Sequence, residues 1–296
     1  MWFIYALITF FAWGLADLFY KKGNKESDKY SHLKTGLIVG IVMGIHATGY
    51  MIFTKTNINV IDVLKYLPVS LCYIASMIIG YKGLKYLELS ISSPIQNSSG
   101  IITTILLCLI FQISLSKLEL LGVVIVFIGV LLLSILEIYY DKDNKQNIIK
   151  SLTGWAILFP IIYCVIDGLG TFFDAVYLDQ LQLITEDTAL IAYEYTFFVY
   201  AILTFLFLKS KNISFKLSTE KNKLWAALFE TLGQFTYVFA VSAYSVITVP
   251  VIACYSALSV LLSRIFLKEK LAFPQYIAIS IIFLGIILLG IVEALS

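Results

Sequence analysis

Ten apolar stretches, each about long enough to cross a lipid bilayer, fill almost all of the 296 residues. They read at roughly 2–20, 33–54, 66–87, 90–113, 118–139, 152–175, 187–208, 224–245, 247–267 and 272–293. A spanning helix needs about 20 mostly apolar residues. Lipid offers no water to exposed backbone groups, so such a chain must satisfy them within helices. The expected fold is an all-α membrane protein with ten transmembrane helices. The longest connectors, about 139–151 and 208–223, are too short to fold separately. Charged residues make up only 14 % of the chain, against about 25 % in a soluble domain.

The first stretch lacks a basic segment ahead of Trp2 and a small-residue cleavage site ahead of Lys21, so it reads as a retained helix. Cys72, Cys108, Cys164 and Cys254 all fall within spans, where they read as packing residues and not as a disulfide framework. There is no CxxC, HExxH, P-loop or dinucleotide fingerprint, and His32 and His46 are the only histidines. No metal or cofactor is expected. The expected partners are the lipid bilayer, a small-molecule substrate and protons, with no role for nucleic acid.

The basic residues are unevenly distributed. Of 21, only Lys55, Lys65 and Lys117 lie in the even-numbered connectors. The sixth connector carries Asp179, Glu186 and Asp187 and no base. Cytoplasmic loops are normally the basic ones. This places the odd connectors inside and both termini outside, in a multi-pass protein of the cell membrane, expected to be a bacterial cytoplasmic membrane.

A shift of 156 residues lays the first half on the second. Tyr81 meets Tyr237, Pro94 meets Pro250, and Phe127-Ile128-Gly129 meets Phe283-Leu284-Gly285. The register needs no gap from Tyr81 to Leu133. Repeats of five spans each, 1–143 and 144–296, must lie in opposite orientations across the membrane, because five is odd. Two inverted five-helix repeats are a common plan of secondary transporters. The paired prolines read either as bends near a cavity or as first-turn prolines without consequence.

Several short motifs together resemble the drug/metabolite transporter superfamily, and within it the EamA-type ten-helix transporters. They are Ala12-Trp13-Gly14 in the first span, Ala257–Leu262 leading into Phe266-Leu267-Lys268-Glu269-Lys270-Leu271, and the terminal Ile282–Ile286. The matching stretch of the first half, Phe111–Leu115, lacks the glutamate. The resemblance implies a central cavity lined by spans one, three, four, six, eight and nine. It also implies carriage of small metabolites without ATP, and cytoplasmic termini, which the lysine pattern opposes.

Ionisable groups inside a membrane are expensive and mark functional sites by default. Asp167 comes first, with no base near it in sequence. It reads as a ligand for a cation, a proton carrier, or a protonated acid bonded to a neighbouring helix. Glu230, Gln234 and Tyr237 form one polar stripe on span eight. Asp17 stands one turn after Trp13, with Lys21 four residues on as an alternative partner. Glu194 lies in span seven. Asp174 reads as interfacial, and Glu269 as a capping or pairing residue. Gln96 and Asn97, with Ser98 and Ser99, make a polar patch in span four that becomes Ile252, Ala253, Cys254 and Tyr255 in the second half. Tyr73, Tyr163 and Tyr255 are deep aromatics suited to an organic cation or an aromatic ring.

The sequence therefore points to a secondary transporter of a small organic metabolite, cationic or amino-acid-like, working by alternating access. The alternative is a proton-coupled exporter of nucleosides or toxic organic cations, with a channel further behind. An enzyme is not expected. Monomer and homodimer both remain open.

Overall fold

A computed structural model describes residues 2–25, 27–140, 155–213 and 215–295. The expected boundary between repeats at 143, and Lys142, Lys145 and Lys150 of the fifth connector, lie outside them. The described residues form eleven α-helices. They are α1 (Trp2–Gly23), α2 (Ser31–Thr54), α3 (Val60–Gly83), α4 (Leu89–Asn97), α5 (Ser99–Phe111), α6 (Lys117–Tyr140), α7 (Leu158–Ala175), α8 (Glu186–Ser210), α9 (Lys221–Ala253), α10 (Tyr255–Leu262) and α11 (Phe273–Leu295). π-helical turns extend α7 over Val176–Gln180 and α10 over Ser263–Leu267.

Nine segments among the described residues are long and apolar enough to cross a membrane. Large apolar side chains face outward along them, such as Phe53 (87 % exposed), Leu109 (72 %) and Leu284 (62 %). A water-soluble surface would not carry so many, and a bilayer accounts for them. The protein is a multi-pass membrane protein.

Three boundaries differ from the sequence reading. Span three begins at Val60, earlier than expected, because Asn59 and Asp62 form a reciprocal capping box. Span six continues to Gln180 through its π turn. Spans eight and nine follow one another without a loop, as one apolar segment, Lys221–Leu267, of 47 residues. At 1.5 Å per residue this would reach about 70 Å, more than twice the hydrocarbon core. The segment is interrupted at Tyr244, whose φ of −165° and ψ of 80° are not helical.

Helix pairings follow an internal exchange. α1 packs on α9 and α3 on α7; α3 packs on α8 and α9 on α2; α5 packs on α7 and α10 on α1. α2 with α8, and α6 with α11, pair across the halves. Swapping the halves converts each pairing into another on the list. The glycines of the repeated Phe-x-Gly tokens make the relation explicit. A Cβ on Gly129 would stand 2.6 Å from Ile282, and one on Gly285 would stand 2.7 Å from Val126. Val126 and Ile282 are themselves 156 residues apart, so the contact is reciprocal and only glycine permits it.

The prolines are bends. Pro94 and Pro250 lie inside helices, and each helix breaks four residues later, at Ser98 and Cys254. There Ser98 Oγ donates to the Pro94 carbonyl at 3.0 Å, and Cys254 Sγ to the Pro250 carbonyl at 3.2 Å. Both breaks open on the interior of the bundle.

Candidate functional site

The two broken segments, with α1, α3, α7, α8 and α9, surround one central cavity with about 780 Å³ of space among its lining atoms. Asp17, Asp167 and Glu230 line it, and among the described residues no Lys, Arg or His does. Its aromatic lining is seven tyrosines and Trp13, and the Trp13 ring stands 5.1 Å from Tyr237 and 5.7 Å from Tyr255.

Each acid is held by hydroxyls. Asp17 Oδ2 accepts from Ser93 at 2.6 Å and Ser259 at 2.8 Å. These serines come from α4 and α10, so Asp17 ties α1 to the broken segments of both halves. Lys21, the alternative partner, instead donates to the Leu84 and Leu87 carbonyls, at 2.9 and 2.5 Å. Asp167 accepts from Ser99 at 2.8 Å and Ser76 at 3.4 Å. Glu230 accepts from Tyr20 at 3.1 Å, and Tyr81 donates to Tyr20 at 2.9 Å.

A comparable chain starts on the opposite wall. Tyr237 and Tyr73 hydroxyls are 2.8 Å apart, and Tyr73 reaches Thr171 at 3.1 Å and Asp174 at 3.4 Å. Tyr66 also donates to Asp174. Asp174 is therefore fully buried behind the cavity wall, not interfacial. The π turn that prolongs α7 carries the helix end past it.

Of the residues singled out in the sequence, Trp13, Asp17, Tyr73, Gln96, Asn97, Tyr163, Asp167, Glu230, Gln234, Tyr237 and Tyr255 all line this cavity. Glu194 does not. It is buried between α8 and α2 against His46, with Nδ1 2.8 and 2.9 Å from its two oxygens. His46 in turn packs on Tyr50 and Phe235. Glu269, far from the cavity, accepts from the Leu89 and Ser90 backbone amides and so caps α4.

The polar patch divides as its helical spacing requires. Gln96, Asn97 and Ser99 face the cavity, while Ser98 turns back to its own helix. The facing segment of the other half offers Ile252, Ala253 and Tyr255, so the two walls differ in chemistry. One donor stands unused at the cavity: Gln234 Nε2 has no hydrogen-bond partner among the described residues.

Sequence reasoning missed Tyr20, Tyr81, Ser99, Thr171 and Tyr193 as lining residues. Tyr20 was within reach, since it follows Asp17 by three positions and shares its helix face.

Polar contacts stand at topologically matching places at the two ends of the bundle. At the basic end, Lys21 of α1 binds the connector after α3. At the other end, Asp179, just after α7, accepts from Ser245 N and Oγ at 2.8 and 2.5 Å, beside the break at Tyr244.

Residues 1–135 match the EamA-like transporter family. An uncharacterized protein of Methanocaldococcus jannaschii is 33 % identical over 141 residues, which cover 96 % of that protein but 46 % of this chain. A crystal structure of another protein shares the fold over 98 % of this chain and 96 % of its own, with a TM-score of 0.66 at 10 % identity. No cluster of three His, Cys, Asp or Glu among the described residues could hold a metal ion, and the family matched is one of transporters, not enzymes. The chain thus carries an EamA-like transporter domain over its first 135 residues and belongs to one family with the archaeal protein.

Proposed function

We propose that this protein is a secondary transporter of small organic cations, working by alternating access between two inverted five-span halves. The observation that carries this reading is the cavity lining, with three carboxylates, aromatic faces and no basic side chain. Carboxylates and aromatic rings together select a desolvated cation. Each acid is already bonded to hydroxyls, which can support it either with a proton or beside a bound cation. A proton and a cationic substrate can therefore occupy the acids in turn, which would make the protein a proton-coupled exchanger.

The 47-residue segment counts as two crossings in this scheme, separated at Tyr244, which brings the total to ten. The reciprocal Gly129 and Gly285 contacts and the paired breaks at Ser98 and Cys254 support the two-repeat plan. A relative whose own length matches less than half of this chain supports treating one half as a unit. Lys21 and Asp179 then act as the closures of the two ends, one opening as the other seals. The basic odd-numbered connectors face the cytoplasm of a prokaryotic cell.

A second reading has its own observation. Gln234 Nε2 is a donor without a partner among the described residues, which suits a substrate bearing an acceptor as well as a cation, as an amino acid does. A thermal-shift screen of purified protein against amines, amino acids, nucleosides and sugars separates these, because a ligand of the folded state raises apparent stability. Amines or amino acids are expected to stabilise the protein and to be taken up by proteoliposomes under a proton gradient. Stabilisation by sugars or anionic nucleotides alone would sink the proposal.

A further inference from the structure

A second cleft lies at the basic end of the bundle, apart from the central cavity. It is formed where the connector before α2, the end of α3, the start of α7 and the end of α8 meet. Among the described residues its charged lining is Lys29, Lys82 and Lys85, with His32, and no carboxylate. Lys85 organises the cleft by donating to the Asp28 carbonyl at 2.7 Å and the Lys29 carbonyl at 3.3 Å. Lys29 and Lys82 make no ion pair with any described residue. His32 Nδ1 is buried without a hydrogen-bond partner among the described residues.

The nearest acid in sequence is already matched. Partial burial works against the charge of Asp28, but hydrogen bonds from Lys34 and from the Tyr30 amide outweigh it and hold the carboxyl below its ordinary range. Asp28 lies 2.8 Å from Lys34, its ion-pair partner.

The rest of the lining is aromatic and belongs at a membrane surface. Trp155 is 57 % exposed, and its ring lies 5.1 Å from that of Tyr86. Lys82 sits 6.0 Å from the Trp155 centroid and 5.3 Å from that of Phe159. Trp and Tyr at helix ends mark the headgroup level, and basic pockets between spans on the cytoplasmic side bind anionic headgroups. We propose that this cleft is a binding site for the phosphate group of an anionic phospholipid. Lys29 and Lys82 pair with the phosphate, and the exposed faces of Trp155 and Phe207 receive the upper part of the acyl chain. A free phosphate ion would use the same cations but would gain nothing from the aromatic wall, which favours the lipid source.

The test is lipid retention by native mass spectrometry of the full chain from mixed phosphatidylglycerol and phosphatidylcholine micelles. Phosphatidylglycerol is expected to be retained preferentially at one molecule per chain. With roughly 1 kcal/mol per lysine near the surface, the K29Q/K82Q variant should lose about thirtyfold in apparent affinity. The K29R/K82R variant should keep the preference. Should K29Q/K82Q fail to fold, the wild type decides, because a preference that rests on exposed charges fades between about 0.05 and 0.5 M salt. Equal retention of both lipids, a preference indifferent to salt, or the same thermal stabilisation from millimolar sodium phosphate as from phosphatidylglycerol would overturn the proposal.

Discussion

Tyr81 and Tyr237 stand 156 residues apart in the chain, and each begins a chain of hydroxyls that ends on a carboxylate. Tyr81 leads through Tyr20 to Glu230, and Tyr237 through Tyr73 to Asp174. One relay crosses between the halves in each direction, since Glu230 lies in the second half and Tyr73 in the first. The buried hydroxyls would be costly if unmatched, so these chains fix where the two halves meet. Tyr81→Phe and Tyr237→Phe remove one hydroxyl each while keeping the ring. Each is expected to cost about 1 kcal/mol, read as a lowered unfolding midpoint in detergent. Neither variant should prevent folding.

The cavity acids and Glu194 should separate in a transport assay. Asp17→Asn, Asp167→Asn and Glu230→Gln each remove a carboxylate from the lining. A charged contact is worth roughly 1.5–3 kcal/mol, so uptake at limiting substrate should fall by about tenfold or more. Glu194→Gln keeps a partner for His46 and lies outside the cavity lining, so uptake should stay near that of the wild type. Uptake by proteoliposomes, beside a melting curve for each variant, distinguishes the outcomes. Retained transport in all three cavity variants would contradict the assignment.

Close approach of α6 and α11 rests on glycine. Gly129→Leu would drive side-chain atoms into Ile282, whose Cγ1 already lies 2.6 Å from a bare Cβ. Overpacking of this kind typically costs about 1–3 kcal/mol. Gly285→Leu meets Val126 in the same way and should cost a similar amount. Because both act at one contact, the double variant should be less than additively destabilised, as measured by thermal unfolding.

The end closures can be tested by access. In a cysteine-free background, Ser99→Cys places a thiol in the cavity lining. Adding Lys21→Ala should raise its labelling by a membrane-impermeant maleimide from the basic side. Adding Asp179→Ala should raise labelling from the opposite side. Equal labelling from both sides in either variant would show that these contacts do not control access.

Much of this arrangement is legible in the sequence where one residue type has one physical use. Apolar runs give the spans, the 156-residue register gives Pro94 with Pro250, and deep acids give the cavity. The harder parts depend on contacts between distant segments. Nothing near Glu194 in sequence announces His46, which arrives from α2. Asp174 looks interfacial because α7 appears to stop there, and only the π turn over Val176–Gln180 moves that end away. The join between spans eight and nine falls at Tyr244, where the apolar runs place it, but its departure from helical geometry has no proline or glycine to mark it. The hydroxyls that hold the acids come from five different helices, and no local pattern groups them.

The two broken segments share a geometry but not a chemistry: Gln96 and Asn97 on one side face Ile252 and Ala253 on the other. If the halves exchange roles during transport, a substrate entering from one face meets the amides at a different stage than one entering from the other. Half-saturation would then differ between the two faces, however similar the two states are in shape. In a carrier without coupling, the maximal rates would have to differ in the same proportion, so that no net gradient arises at equilibrium. The mismatch in side chains is thus a kinetic polarity written into a nearly symmetric frame.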